Sequence, residues 1–385
     1  MLRIIQIDMI QRILKKQIES QLFKGKAIIL MGSRQTGKTC LLADIFPSEQ
    51  DALWLSGDDV DVQSMMENMT AQRMRTLLGD RKAIVIDEAQ RINDIGLRMK
   101  VITDQMKDVQ LVATGSSAFE LANRLNEPLT GRKWEYQLYP LSFAEMVTHH
   151  GLLTEKRLLT HRLVYGYYPE VVTSAGNERN VLKMLSDSYM YKDVLAMGSI
   201  KKSDKLLTLL RAIAFQVGDQ VSYSELASTV GIDVKTVESY IDVLEKCYII
   251  FRLPSFSRNL RNELKNNRKI YFYDNGIRNA LISNFSQMEL RTDSGALWEN
   301  FAISERIKFT AYNQLWCNRY FWRTHEQKEI DYVEESDGVL SAFEFKYNPK
   351  KKVKIPKHFA EAYPNAKFQV ITPDNFEEFV LGGFE

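Results

Sequence analysis

Short apolar runs alternate with longer stretches of helical periodicity along this chain. Ile10, Ile13, Leu14, Ile18 and Leu22 recur at the spacing of one helix face, which predicts an amphipathic helix over about residues 10–24. Five strand candidates follow, at residues 26–31, 52–56, 83–87, 109–114 and 134–139. The most apolar of them read as buried parallel strands. Strands alternating with helices predict a parallel sheet whose chemistry sits at the carboxyl ends of its strands. Residues 142–218 are mostly helical in pattern, Val181–Met190 included.

Beyond that stretch the pattern changes to helices followed by a strand pair. Leu206–Phe215 gives one helix, and Ser222 with Glu225 forms a capping box for the next. Gly231 makes a turn, and Asp233 caps a helix running to Lys246 with Val234, Val237, Ile241 and Leu244 on its buried face. Strands at Tyr248–Leu253 and Lys269–Tyr273 complete what reads as a winged helix. The last third predicts a helix over Gly295–Glu305 and strands at Arg319–Arg323, Glu329–Val333 and Ala342–Lys346.

The first strand leads into Gly32-Ser-Arg-Gln-Thr-Gly37-Lys38-Thr39, which fits GxxxxGK[ST] at every fixed position. Strand, glycine loop and helix together aim backbone N–H groups and the positive end of a helix dipole at phosphate. The nucleotide-contacting set is therefore Gly32, Ser33, Arg34, Gln35, Thr36, Gly37, Lys38, Thr39 and Cys40. Lys38 would reach the outer phosphates of ATP, and Thr39 would hold Mg²⁺. The strand Ala83–Ile86 ends in Asp87 and Glu88, which suit the Mg²⁺ shell and the polarising of an attacking water. Acidic residues also cap helices after strands, but the loop upstream favours the nucleotide reading. Thr114 and Ser116, at the tip of the next strand, are both candidates for sensing the γ-phosphate, and the sequence does not choose between them.

Composition adds limits more than direction. A chain of 385 residues with 45% hydrophobic and 26% charged residues is ordinary for a soluble protein of two or three domains. No apolar stretch approaches the ~20 residues of a membrane helix, and the first residues lack a signal-peptide pattern. The three cysteines, Cys40, Cys247 and Cys317, are far apart and fit neither a metal spacing nor a disulfide framework, so a reducing cytoplasm is expected. A net charge of +2 says little, so the placement of charge has to carry any nucleic-acid argument.

That placement is mixed. The exposed side of the 233–246 helix carries Lys235, Glu238, Ser239, Asp242, Glu245 and Lys246, a poor reader of a major groove. The segment 258–269 is better suited, with five basic residues against the single acid Glu263. In the last third, period-two alternation puts Glu329 and Asp331 on one strand face and aligns Glu344 with Lys346. Asp331 and Glu344 could share a divalent metal, with Lys346 and Glu299 as accessories. Lys350, Lys351, Lys352, Lys354 and Lys357 follow with no acid among them, which suits a phosphodiester backbone. An alternating edge strand and a solvated lysine loop would look the same.

Nearly the whole chain resembles a family of bacterial and archaeal P-loop ATPases that join an AAA-type core to a C-terminal domain called DUF4143. The resemblance rests on the phosphate loop, Ile86–Gln90, Thr114–Ser117, Leu129–Arg132, Leu138–Glu145, Tyr273–Gly276, Leu297–Phe301, Trp322-Arg323, Glu329–Asp331 and Glu344–Lys346. It implies an α/β fold: a P-loop core at residues 1–145, a helical lid at 146–204, a winged helix at 205–285, and a domain at 286–385 similar to PD-(D/E)xK nucleases. Glu329-Ile330 stands where that pattern would have a proline before Asp331. AAA-like ring assembly, such as a hexamer, is implied as well. Arg132 is then a candidate for the charge supplied to a neighbour's γ-phosphate, against an intramolecular salt bridge. Two functions stay open: an ATP-driven motor, remodeller or nuclease on duplex or branched DNA, and an ATP-dependent regulatory switch with a silent protein-binding domain.

Overall fold

The computed structural model describes residues 9–116, 129–189, 203–256, 268–324 and 326–382. The chain divides into two compact units, Met1–Pro140 with Lys246–Tyr248, and Leu141–Glu245 with Ile249–Glu385.

The first unit is built on five parallel strands: β1 (Ala27–Met31), β2 (Ala52–Ser56), β3 (Ala83–Asp87), β4 (Gln110–Gly115) and β5 (Lys133–Gln137). Their order is β2-β3-β4-β1-β5, with Ile28 beside Val112 on one side and Trp134 on the other. β1 and β4 are buried at every residue, as their apolar sequences require. Met66, Met74, Ile95, Met99 and Ile102 pack from helices onto this sheet. The expected helix at 10–24 is shorter, Leu14–Gln21, because Leu22 leaves in an extended conformation and Phe23 turns at φ +59°.

The second unit begins with short helices between Phe143 and Met184 and continues with the helix Ser203–Phe215. Its three-stranded antiparallel sheet has the order β6-β8-β7, from β6 (Gln220–Val221), β7 (Ile250–Pro254) and β8 (Arg268–Phe272). Helices Tyr223–Val230 and Val234–Lys246 lie between β6 and β7 in sequence. Ser222 accepts a hydrogen bond from the Glu225 N–H at 3.4 Å, and Asp233 accepts one from the Thr236 N–H at 2.9 Å. The expected exposed acids Asp242 and Glu245 are not free charges: both pair with Arg252 of β7.

A four-stranded sheet closes the unit, in the order β12-β11-β10-β9: β9 (Asn318–Arg323), β10 (Glu329–Ser336), β11 (Val339–Phe345) and β12 (Lys367–Ile371). β9, β10 and β11 are antiparallel, while β12 runs parallel to β11. Helix Ser294–Tyr312 contributes Trp298 and Phe301, whose rings each stand 5.2 Å from that of Phe376. Several family marks prove to be joints within this unit. Asn275 donates to the carbonyls of Leu163 and Leu297 at 3.1 and 3.0 Å, and Asn300 exchanges hydrogen bonds with the Phe272 backbone at 2.7 and 3.0 Å. Asp274 accepts from the N–H groups of Tyr167 and Ile277 at 2.6 and 3.1 Å. Among the described residues no helix is long and apolar enough to cross a membrane.

Candidate functional site

The loop after β1 enters helix Lys38–Ile45 through Gly37, whose φ of +92° is a left-handed conformation that favours glycine. The loop is braced from outside by Arg12, which is 9% exposed. Its guanidinium donates to the carbonyls of Thr36 and Tyr139, each at 2.6 Å. Thr36 is itself buried and donates to the Ser33 carbonyl at 2.8 Å. Lys38 lies buried in the loop and donates to the carbonyls of Gly32 and Ser33 at 2.8 and 2.9 Å. Arg34, Gln35 and Cys40 belong to the same loop-to-helix segment, with Gln35 at φ +57° and Cys40 exposed.

The end of β3 meets this loop. The Thr39 hydroxyl donates to Asp87 Oδ2 at 3.0 Å, and the Thr114 hydroxyl donates to Asp87 Oδ1. Thr114 also accepts the Glu88 N–H at 3.0 Å. Glu88 has φ +50°, a strained conformation for a residue with a side chain, of the kind that collects at functional sites. The Gln90 amide donates both to Glu88 Oε2 at 2.5 Å and to Ser116 Oγ at 3.1 Å. Gly57 presses on this turn. Its N–H donates to the Asp87 carbonyl at 2.7 Å, and a β-carbon there would meet the Glu88 carbonyl oxygen at 2.3 Å.

Thr39, Asp87, Glu88, Thr114 and Ser116 are thus brought together, with Gln90 as a link that the sequence reading missed. Its position next to the acid pair, in Asp87-Glu-Ala-Gln90, was the available signal. A hydroxyl and a carboxylate oxygen 3.0 Å apart form a hard-oxygen donor pair that fits Mg²⁺. Arg132 is placed elsewhere. It precedes β5, beside Ala27 at the amino-terminal start of β1, and pairs through Nε with Asp104 at 2.7 Å.

The second unit gathers another set of charges. Glu299 accepts from Lys269 at 3.1 Å and from the Tyr271 hydroxyl at 2.6 Å. Lys269 also pairs with Glu329, which faces Arg323 at 3.3 Å. Lys346 donates to Glu344 at 2.7 Å and stands 3.7 Å from Asp331, which accepts the Phe345 N–H at 2.9 Å. Burial and the Asp331 charge push the Glu299 carboxyl up to about 7, against the lowering effect of Lys269. Burial would lower the Lys269 ammonium, but Glu299, Asp331 and Glu329 hold it well above the ordinary lysine value.

The carboxylates expected to share a metal are here drawn to lysines. Among the described residues no group of three or more His, Cys, Asp or Glu side chains is arranged to hold a metal ion. Lys269, the last base of the segment 258–269 and the start of the expected strand, is 2% exposed within β8. Arg268 is on the same strand, bonded to the Tyr223 hydroxyl at 3.0 Å. The remaining bases of that segment, Arg258, Arg261 and Lys265, lie outside the described residues, as does Ser117. Lys350, Lys351, Lys352, Lys354 and Lys357 are exposed.

Residues 24–147 match the family described as AAA domain. Residues 156–288 match a domain of unknown function, DUF8612, and residues 294–380 match DUF4143, also of unknown function. An uncharacterized protein of Mycobacterium tuberculosis is 25% identical over 335 residues, which is 86% of this chain and 72% of that protein. One from Haemophilus influenzae is 25% identical over 283 residues, 66% of this chain and 68% of its own. Among solved structures, a Walker-type ATPase of Pyrococcus abyssi matches with a TM-score of 0.52 at 15% identity, covering 72% of this chain and 97% of that one. At that identity the likeness is one of fold.

Proposed function

We propose that this chain, an AAA-type P-loop ATPase with a C-terminal DUF4143 domain, hydrolyses ATP at the Gly32–Thr39 loop and uses the cycle to act on DNA as a motor or remodeller. The observation that carries the hydrolytic half is the meeting of Thr39 and Asp87 at 3.0 Å beside the buried Lys38. The backbone N–H groups from Gly32 to Lys38 cradle the phosphates, and Lys38 exchanges its carbonyl partners for phosphate oxygens. Thr39 and Asp87 would hold Mg²⁺, whose charge offsets that of the phosphates. Glu88 polarises the attacking water, oriented by Gln90. Through Gln90, Ser116 is joined to the Glu88 carboxylate, and Thr114 is joined to Asp87, so both hydroxyls report on the same acid pair.

Within this reading, residues 146–204 serve as a helical lid, 205–285 as a winged helix and 286–385 as a nuclease-like sheet. The exposed lysines from Lys350 to Lys357 support a role for that sheet in gripping a phosphate backbone. Homo-oligomeric assembly in the cytoplasm, with Arg132 serving a neighbouring copy, completes the proposal.

Phosphate release measured with single-stranded, duplex and junction DNA tests it. Stimulation by one of these, abolished in Glu88→Gln, is the expected result. An ATPase indifferent to every DNA, together with no retention of DNA at low salt, would instead make the protein a nucleotide-driven regulatory switch.

A further inference from the structure

The acidic cluster of the second unit takes residues from three places. Glu299 comes from helix Ser294–Tyr312, Glu329 and Asp331 from β10, and Glu344 from β11. Into it β8 sends Lys269, with Tyr271 two residues on and so on the same strand face. β8 is the middle strand of its own sheet, with Lys269 beside Gln220 and Leu253 in register. A parallel bridge of Ser255 with Phe321 and a 2.6 Å hydrogen bond from the Phe256 N–H to the Phe321 carbonyl tie the end of β7 to β9. The Phe321 ring lies 5.6 Å from the Lys269 ammonium, so the lysine is closed in by aromatic surface as well as by acids.

We propose that the Lys269 ammonium, held between Glu299 and Glu329, is a built-in replacement for a divalent cation, so that this nuclease-like sheet does not carry a catalytic metal. A divalent metal needs carboxylate lone pairs pointing at one centre. Here one oxygen of Glu299 is already shared by Lys269 and Tyr271, one of Glu344 is taken by Lys346, and one of Asp331 by the Phe345 N–H. A buried ammonium and buried carboxylates each carry a large desolvation cost, which their pairing offsets. Removing the ammonium leaves Glu299 and Glu329 without the charge between them, and a divalent ion then becomes a way to balance that pair. The proposal concerns only this cluster. Its test uses neither nucleotide nor DNA, so failure here and failure of the ATPase reading are separate results.

Mn²⁺ binding to the full chain, followed by electron paramagnetic resonance and calorimetry on an Asp87→Asn background, reads the cluster alone. Without a change at Lys269, no Mn²⁺ site sensitive to Asp331→Asn or Glu344→Gln is expected. Lys269→Met should gain a Mn²⁺ site, and adding Glu299→Gln should remove it. Lys269→Arg, which keeps the cation, should remain without it. Tight Mn²⁺ binding with Lys269 intact that is lost in Asp331→Asn overturns the proposal, and this measurement does not depend on how well the Lys269 variants fold. A Lys269→Met chain with unchanged circular dichroism that binds no Mn²⁺ overturns it too.

Discussion

Each unit of this chain buries a lysine among oxygen atoms, and the oxygens differ in kind. Lys38, 5% exposed, donates to the Gly32 and Ser33 carbonyls, which carry no formal charge. Lys269, 2% exposed, is paired with the carboxylates of Glu299 and Glu329. A lysine that donates to neutral carbonyls gains further when an anion arrives, because a charged acceptor makes the stronger hydrogen bond. A lysine held between carboxylates has been matched already, and a phosphate arriving there would meet like charge. The first arrangement is poised for a ligand, and the second is a finished structural ion pair.

The largest effects are expected from removing the charges of the nucleotide loop. Lys38→Ala should abolish tight ATP binding or turnover, and Glu88→Gln should keep ATP bound while slowing hydrolysis roughly 10³-fold. Phosphate release and a fluorescent ATP analogue separate the two. If both variants turn over normally, the loop does not do this chemistry. Arg132→Ala should leave ATP bound but slow hydrolysis roughly 10²-fold, with partial recovery on mixing with Glu88→Gln. Its exposed pairing with Asp104 adds under about 1 kcal/mol to folding, so an unchanged rate with a slightly lower Tm would make Arg132 purely a surface ion pair.

In the second unit Asp293 is another carboxylate bound to buried cations, Arg278 and Arg291. Burial pushes its carboxyl up, but the hydrogen bonds and charges of Arg291 and Arg278 more than offset that and hold it below its ordinary value. A depressed folded value means that the stabilisation is present above the usual Asp range and is lost as pH falls through the folded value. Asp293→Asn should cost about 3 kcal/mol near neutrality and flatten the acid side of a Tm-against-pH curve. An unchanged acid side would show that the pair does not govern stability. The smallest effect is expected from neutralising Lys350, Lys351, Lys352 and Lys354, which should reduce the salt slope of DNA binding by about 0.9 for each phosphate no longer neutralised. A slope that stays the same would remove the lysine loop from the DNA reading.

The parallel sheet was legible because β1, β3 and β4 are near-continuous apolar runs and the phosphate loop is a contiguous motif. Local sequence was enough to predict the meeting of loop and acid pair. β12 was missed because Lys367-Phe-Gln-Val-Ile371 is a partly exposed edge strand with no clean alternation, and β6 because it is two residues long. Lys269 misled for a different reason. A charged residue beside a basic stretch looks solvated, and what buries it is Glu299, thirty residues on, with Glu329 still further along. Arg12 and Gly57 were equally invisible, since each acts on a backbone carbonyl of a distant segment and carries no motif.

Gly57 has a consequence of its own. The gap between it and the Glu88 carbonyl is too narrow for even one methyl group. Position 57 is therefore a mechanical stop for the acid turn, set from a loop that carries none of the proposed chemistry. A wedge at that stop would tilt the glutamate while leaving the phosphate cradle intact. Holding fuel and burning it would then be uncoupled by a residue that touches the acid pair only through backbone atoms.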